Sequence, residues 1–202
     1  MEIVVPGEIV SDQPMRSQNT NVEDGKTYAV RIALKDSRKG TLVPLEGVWR
    51  PHVGDIVVGI VTGQRSSVYD IELNYFERSI LVSGKYESHP LSPGELIEAK
   101  VKDVENRRTV ILAYPKSLHG GTIVEAAPSK VPRIIGKEDT MVRQISEMTG
   151  TQIVVGKNGI IWIRGDERGV LKAKMAIKKI EDEAHIPGLT ERIKQMLEKN
   201  SE

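Results

Sequence analysis

One short segment combines residue types that can bind phosphate. Residues 156–159 read Gly-Lys-Asn-Gly and lie between the apolar runs "IVV" and "IIWI". Glycines let a backbone approach a phosphate closely, and a lysine adds positive charge. The same residues have the composition of a hairpin turn, because Asn158 and Gly159 both accept positive φ angles. The segment is therefore either a phosphate-binding loop or a turn.

An ATP-binding P-loop is excluded by the spacing. That motif needs four residues between a first Gly and a Gly-Lys pair, then Ser or Thr at the start of a helix. Here Gly150 is one residue too far from Gly156, Asn158 replaces the hydroxyl residue, and a strand-like run follows. We predict that Gly156, Asn158 and Gly159 form the turn of a hairpin.

No other set of residues points to catalysis. The chain has no Cys, and its four His, at positions 52, 89, 119 and 185, have no ligand spacing. No nucleophile with a His and a carboxylate stands out, and neither does a paired acidic motif for two metals. We predict no catalytic residue, no metal and no cofactor.

The composition is that of an ordinary globular protein. Of 202 residues, 39% are hydrophobic and 28% charged, and the formal net charge is +1. We expect a cytoplasmic protein with no membrane partner, because a signal peptide and an apolar run of membrane length are both missing from this sequence. With so little net charge, nucleic-acid binding would depend on local patches.

Three segments and a tail position these residues. Residues 1–51 contain short strand-like runs, of which Tyr28–Leu34 alternates like one half-buried strand. Asp24-Gly25 and Lys39-Gly40 are turn signals. We predict a small β module over 1–51, a barrel domain over 52–117, a mixed domain over 118–186 and a helical tail over 187–202.

The second segment has five short β-prone stretches and no helical period between them, which suggests a small barrel or sandwich. "VGDIVVGIVTG", "VYDIEL" and "LSPGELIEAKVKDVENRRTVILA" together resemble an S1 domain, the five-stranded OB-type barrel of ribosomal and RNA-decay proteins. The opening Val-Gly-Asp-x-Val-x-Gly-x-Val is the most specific part. In related proteins an aromatic residue stands where this chain has Ser67, and Tyr69 is the candidate to replace it.

Several cations of this barrel are candidates for RNA contact. Lys100, Arg107 and Arg108 belong to one predicted hairpin, where they are either RNA contacts or a solvated turn balanced by nearby acids. Arg65, in the loop after the first strand, is the better candidate because that loop borders the binding face of such barrels.

The third segment resembles a eukaryotic-type KH domain, an RNA-binding fold. Its predicted order is strand, helix, helix, strand, strand, helix, followed by a short C-terminal helix. Met141, Val142, Ile145 and Met148 have helical spacing. In the last long helix, we expect five residues to face inward: Val170, Leu171, Met175, Ile177 and Ile180. Trp162 is predicted to pack rather than to stack on bases.

A KH domain holds the nucleic-acid backbone with a Gly-x-x-Gly loop between its first two helices. The resemblance places that loop at Gly136-Lys137-Glu138-Asp139, where the second glycine is an aspartate and the third position is acidic. Two carboxylates would repel phosphate, and Asp139 has an alternative role as a cap of the next helix. Arg133, Lys137 and Arg143 remain candidates for RNA contact by charge.

The order of N-terminal β module, S1 domain and KH domain, with the Gly-x-Asn-Gly turn, resembles the RNA-binding cap subunits of the archaeal exosome. The resemblance implies a non-catalytic subunit. Three copies would cap a hexameric ring of RNase-PH-like subunits and pass single-stranded, A-rich RNA to it for 3′-to-5′ degradation and processing. Two other hypotheses stay open at this point: a free-standing RNA-binding module in translation or messenger RNA handling, and a nuclease or NTPase.

Overall fold

A computed structural model describes residues 2–15, 20–30, 32–36, 41–44, 47–82, 90–105, 109–184, 186 and 188–199. The chain divides into two compact units, Met1–Val48 and Trp49–Glu202. The first is built of strands and the second contains a barrel and a mixed domain. This architecture confirms the predicted α+β fold.

The first unit consists of two three-stranded antiparallel sheets, with strand orders β1-β5-β6 and β2-β4-β3. The strands are β1 Glu2–Val4, β2 Ile9–Ser11, β3 Thr20–Glu23, β4 Lys26–Ala29, β5 Ala33–Asp36 and β6 Thr41–Pro44. Their small core contains Val4, Val10, Ala29, Ala33 and Leu42.

The single strand predicted over Tyr28–Leu34 is wrong. β4 ends at Ala29 in one sheet and β5 begins at Ala33 in the other. Alternating apolar residues fit a strand locally, but they cannot show which sheet each half joins. The Asp24-Gly25 turn is present, with both residues at positive φ between β3 and β4. Lys39-Gly40 lies outside the described residues.

The second unit begins with a closed five-stranded barrel of strand order β10-β11-β9-β8-β7. Its strands are β7 Ile56–Arg65, β8 Val68–Glu72, β9 Arg78–Val82, β10 Leu96–Glu105 and β11 Thr109–Ser117. The inward residues are mostly aliphatic, and they alternate with outward ones as the pleat requires. Trp49, which precedes β7, also packs into this core.

The mixed domain has the element order predicted for a KH fold. Its elements are β12 Thr122–Glu125, α1 Val131–Ile135, a 3-10 turn Lys137–Asp139, α2 Thr140–Thr149, β13 Gln152–Val155, β14 Ile160–Arg164 and α3 Glu167–Glu183. The sheet order is β12-β14-β13. A last helix, α4 Leu189–Lys199, adds Leu189, Ile193 and Leu197 to the core of this domain.

The inward face predicted for α3 is only partly correct. Val170 is partly buried and Ile177 and Ile180 are buried, but Leu171 and Met175 are exposed. Ala173 and Ala176 occupy the inner face instead. Small side chains let the helix approach the sheet closely, and their weak hydrophobicity hides them from a search for large apolar residues.

Candidate nucleic-acid interface

Three charged side chains meet on the outer surface of the barrel. Arg65 ends β7, Asp70 lies in β8 and Arg78 begins β9. Arg78 donates hydrogen bonds from Nε and Nη2 to Asp70 Oδ1, at 3.0 and 2.8 Å. Arg65 Nε lies 3.1 Å from Asp70 Oδ2. Adjacent strands thus bring together two guanidinium groups and one carboxylate, which we call the Asp70 cluster.

The Asp70 cluster keeps a positive excess at the surface. The hydrogen bond from Arg78 is the main cause that holds the pKa of the Asp70 carboxyl below its usual range, and the charge of Arg65 acts in the same direction. Asp70 is therefore ionised at neutral pH and balances one of the two guanidiniums. Because the Arg65 side chain is 80% exposed, a phosphate can reach it from solvent.

Arg78 was not among the residues predicted from the sequence to contact RNA. The sequence gives little indication of its role, because Arg78 is only the first residue of the β-prone run "RSILVSG", eight positions after Asp70. Two adjacent strands of unknown register do not reveal which outward residues face each other. The structure supplies that register, with Asp70 opposite Ile80.

Tyr69 is not available for base stacking, so the prediction that it replaces the missing aromatic is wrong. The residue is only 1% exposed and belongs to the barrel core. Its hydroxyl accepts a hydrogen bond from the Leu91 N–H at 3.1 Å. Alternation along β8 decides this, because Tyr69 points inward where Asp70 points outward.

Lys100, another candidate from the barrel, does not join the Asp70 cluster. Lys100 is exposed in β10 and pairs with Ile56, the first residue of β7, whereas Arg65 is the last. Nine residue steps along an extended strand span about 30 Å, so Lys100 and Arg65 lie far apart on the barrel. Arg107 and Arg108 lie outside the described residues, and their RNA contact stays a prediction.

The loop between α1 and α2 brings charges of both signs to the surface. Arg133, Lys137 and Arg143 are exposed, as are Glu138 and Asp139. Gly136 has φ 79° and ψ 179°, a conformation that only glycine adopts readily, and a Cβ there would lie 2.7 Å from Met141 N. Close packing on α2 therefore explains Gly136 without any phosphate.

Asp139 occupies the N-cap position of α2, but it does not cap in the predicted way. Its φ of 61° is left-handed, and its carboxylate makes no capping hydrogen bond in the described structure. Thr140 Oγ1 instead donates to the Lys137 carbonyl oxygen at 2.7 Å. A normal N-cap has an extended backbone, which places its side chain near the free N–H groups, and the left-handed turn removes that geometry.

The turn at residues 156–159 connects β13 to β14 and also fastens the mixed domain to the barrel. Asn158 is buried, and its Nδ2 donates to the carbonyl oxygens of Val58 and Leu73 at 2.8 and 2.9 Å. Val58 N–H donates back to Asn158 Oδ1 at 3.3 Å, and Lys157 N–H donates to the Ile56 carbonyl at 2.8 Å. Through Asn158 and Lys157, the turn therefore binds barrel backbone.

Apolar residues complete this junction. Trp162 and Ile160 of β14 pack with Val58 of the barrel and with Leu118, which confirms the packing role predicted for Trp162. The Trp162 Nε1–H donates to the Gly120 carbonyl at 2.7 Å. The glycines of the turn fit tightly: a Cβ on Gly156 would lie 2.8 Å from Val58 N, and one on Gly159 would overlap the Ala126 carbonyl. The barrel and the mixed domain therefore share a hydrogen-bonded, apolar interface.

Within the described ranges, no group of three or more His, Asp or Glu side chains is placed to hold a metal ion. Within the same ranges, none of the helices is both long enough and apolar enough to cross a membrane.

A closed OB-type barrel followed by a βααββα domain defines a class of proteins that bind single-stranded nucleic acids. The family model described as "KH domain" matches residues 122–179. Two relatives, each called exosome complex component Rrp4, match nearly the whole of this chain. The one from Pyrobaculum aerophilum is 33% identical, covering 98% of this chain and 92% of the relative. The one from Pyrococcus horikoshii is 35% identical, covering 97% and 82%.

A solved structure leads to the same family. The crystal structure assigned to an exosome complex RNA-binding protein superimposes with a TM-score of 0.66 at 29% identity, covering 77% of this chain and 98% of the other. With identities above 30% over most of the length of both chains, this chain belongs to the Rrp4 family of exosome components.

Proposed function

We propose that this chain is a non-catalytic RNA-binding subunit of an exosome and that its barrel holds single-stranded RNA. The observation that carries the proposal is the Asp70 cluster, in which two arginines share one carboxylate on the outer face of the barrel. Its positive excess attracts the RNA backbone irrespective of base sequence. Relatives named as exosome components, similar over nearly the whole chain, support the assignment to that complex.

The N-terminal unit is the docking module of this proposal. Its strands and their flanks expose large aliphatic side chains, among them Ile3, Val5, Ile9 and Ile32, and Ile3 is 60% exposed. A free-standing monomer would leave this apolar surface in water, so these residues favour a docked subunit over an independent RNA-binding module. The partner is a hexameric ring of RNase-PH-like subunits, on which three copies of this chain form a cap.

The three parts then divide the work. Residues 1–51 dock, residues 52–117 surround the entrance of the ring, and residues 118–186 with the tail 187–202 lie further out. Basic residues near the entrance concentrate RNA and guide single strands inward, including A-rich tails, with an affinity that falls as salt rises. The 3′-to-5′ chemistry belongs to the ring. In a cell without compartments, this assembly would work in the cytoplasm.

Reconstitution with an archaeal exosome ring tests the proposal. We expect this chain to co-elute with the ring in gel filtration and to speed decay of an A-rich RNA that the ring degrades slowly alone. Failure to co-elute would favour the free-standing module. RNA turnover by this chain without the ring would contradict a non-catalytic role.

A charge reversal locates the RNA face. Arg65→Glu is expected to weaken RNA binding while the thermal unfolding temperature changes little, because the side chain is mostly exposed. Lys178→Glu is the matched control: Lys178 is a 71% exposed cation on α3 that also pairs with a carboxylate, that of Asp182. Equal effects of the two reversals would argue against a specific barrel face.

A further inference from the structure

The loop between β8 and β9 exposes the only phenylalanine of the chain. Phe76 is 79% exposed, the largest exposure among the big apolar side chains of the described residues. It lies against Tyr75, with ring centroids 4.6 Å apart, and Tyr75 makes an edge contact with Trp49 at 5.4 Å. Three aromatic rings thus form a series that runs from the barrel core to solvent.

The inner end of this series is held firmly. Trp49 packs into the barrel core, and its Nε1–H donates to Asp55 Oδ2 at 3.1 Å. Asp55 Oδ2 also accepts from the His52 N–H at 3.1 Å. Tyr75 is partly buried between Trp49 and Phe76, and this burial is the main cause that raises the pKa of its hydroxyl. A side chain backed in this way loses little freedom on binding a ligand.

The position of Phe76 relative to the Asp70 cluster suggests what it binds. Phe76 precedes Arg78 by two residues, so their Cα atoms are at most about 7 Å apart. An aromatic face beside a surplus guanidinium matches a nucleotide, which has an apolar base and an anionic phosphate. The position where related S1 domains have an aromatic is Ser67 in this chain, and Tyr69 is buried.

We propose that Phe76, backed by Tyr75 and Trp49, is a base-stacking site that works with the Asp70 cluster to bind single-stranded RNA. The inference rests on the proposed function. Phe76 carries no charge, so a selection of residues by their ability to bind phosphate does not include it. Every base has a flat face, so the site tolerates any sequence and adds affinity that does not depend on salt.

Fluorescence anisotropy with a labelled A-rich oligoribonucleotide tests this in the full-length protein. Phe76→Ala is expected to weaken binding by roughly 5- to 150-fold, the range seen when a stacking aromatic is removed. The slope of log affinity against log salt should stay unchanged. Phe76→Trp should keep the affinity, and Phe76→Leu, which keeps apolar area without a ring, should weaken binding nearly as much as Ala.

Matched controls separate the stacking site from the proposed function. Leu171→Ala removes another large exposed apolar side chain, on α3, and should leave RNA binding unchanged. If Arg78→Ala weakens binding and lowers the salt slope but Phe76→Ala stays within twofold of the parent, the stacking site is wrong and the proposed function stands. If neither variant weakens binding, both fail. If Phe76→Ala no longer co-elutes with the ring but keeps its RNA affinity, Phe76 contacts a protein partner and the proposal is overturned.

Discussion

The barrel and the mixed domain belong to two folds that bind single-stranded nucleic acid, yet they present opposite charge balances where a backbone would pass. The barrel face carries two arginines for one aspartate. The loop at residues 136–139 carries one lysine for two carboxylates, and both of its acidic residues have positive φ. Two folds of the same binding class can therefore differ in the charge of the surface that a nucleic-acid backbone would meet.

The glycines in the loops of the mixed domain pack closely against neighbouring backbone. Gly136 fits against Met141, and Gly156 and Gly159 fit against the barrel and the Ala126 carbonyl. The domain supplies a rigid attachment, through Asn158 and Trp162, to the barrel that carries the stronger cationic site. We therefore propose that the two domains differ in role although both have nucleic-acid-binding folds.

The largest expected effect is the loss of stability when the contacts between the mixed domain and the barrel are removed. Asn158→Ala leaves the Val58 and Leu73 carbonyls and the Val58 N–H without their partner in a buried junction, so we expect the free energy of unfolding to fall by about 2–3 kcal/mol. Urea titration followed by circular dichroism measures it. Lys157→Ala is the control, because the contact of Lys157 to Ile56 is made by backbone. If Asn158→Ala lowers the free energy of unfolding no more than the control does, the Asn158 side chain does not stabilise the junction.

Paired neutralisations compare the two surfaces directly. Arg65→Ala with Arg78→Ala should weaken RNA binding at least about tenfold and reduce the salt slope by about 0.7, since one guanidinium of the cluster is left unbalanced by Asp70 and one lost phosphate contact to a single strand accounts for about 0.7. Arg133→Ala with Lys137→Ala removes the same charge from the mixed domain and should change affinity less than about threefold. Fluorescence anisotropy at four salt concentrations measures the affinity and the salt slope of each double variant. A larger loss of affinity in the Arg133 and Lys137 variant would indicate that the mixed domain is the main RNA-binding surface.

Restoring the glycine should strengthen the weaker surface slightly. Asp139→Gly re-creates Gly-x-x-Gly, removes one carboxylate and suits the left-handed backbone at that position. An exposed charge interaction of 0.2–1 kcal/mol corresponds to a gain in RNA affinity of about 1.5- to 5-fold. Asp139→Asn removes the charge but keeps the Cβ, so a larger gain from Gly would show that close approach matters. No gain from either variant would indicate that RNA does not pass this loop.

The smallest expected effect is a loss of stability at acid pH that comes from the Asp70 cluster of the barrel. The folded-state pKa of Asp70 is depressed, chiefly by the Arg78 hydrogen bond, so its contribution to stability is complete above the usual pKa of an aspartate. That contribution is lost as pH falls from there through the depressed folded-state pKa. Compared with the parent, Asp70→Asn should therefore show a flatter decline of the urea midpoint in this acid range. Parallel curves would contradict the assigned ion pairing.

Much of the fold could be predicted because it follows local patterns. Strand and helix periods with Gly and Pro turns indicated a small barrel or sandwich, of which the resemblance to an S1 domain implied the barrel, and they also indicated the βααββα order. The candidate site was predicted less well. Arg65 was chosen from its position after the first strand, and its RNA contact stays a prediction. Tyr69, the candidate to replace the missing aromatic, is buried, and Arg78 was not identified. Side-chain direction and strand register depend on neighbours in space, which a single strand does not encode.

By itself, the sequence determined the order of elements, the absence of cysteine chemistry, the hairpin at residues 156–159 and the loss of the second glycine at Asp139, since each depends on residues within a few positions. Only the tertiary structure decided that Asn158 binds Val58, one hundred residues away, and that Arg65, Asp70 and Arg78 converge while Tyr69 turns inward. These outcomes require strand register, barrel closure and domain docking, which bring together residues whose spacing along the chain has no period.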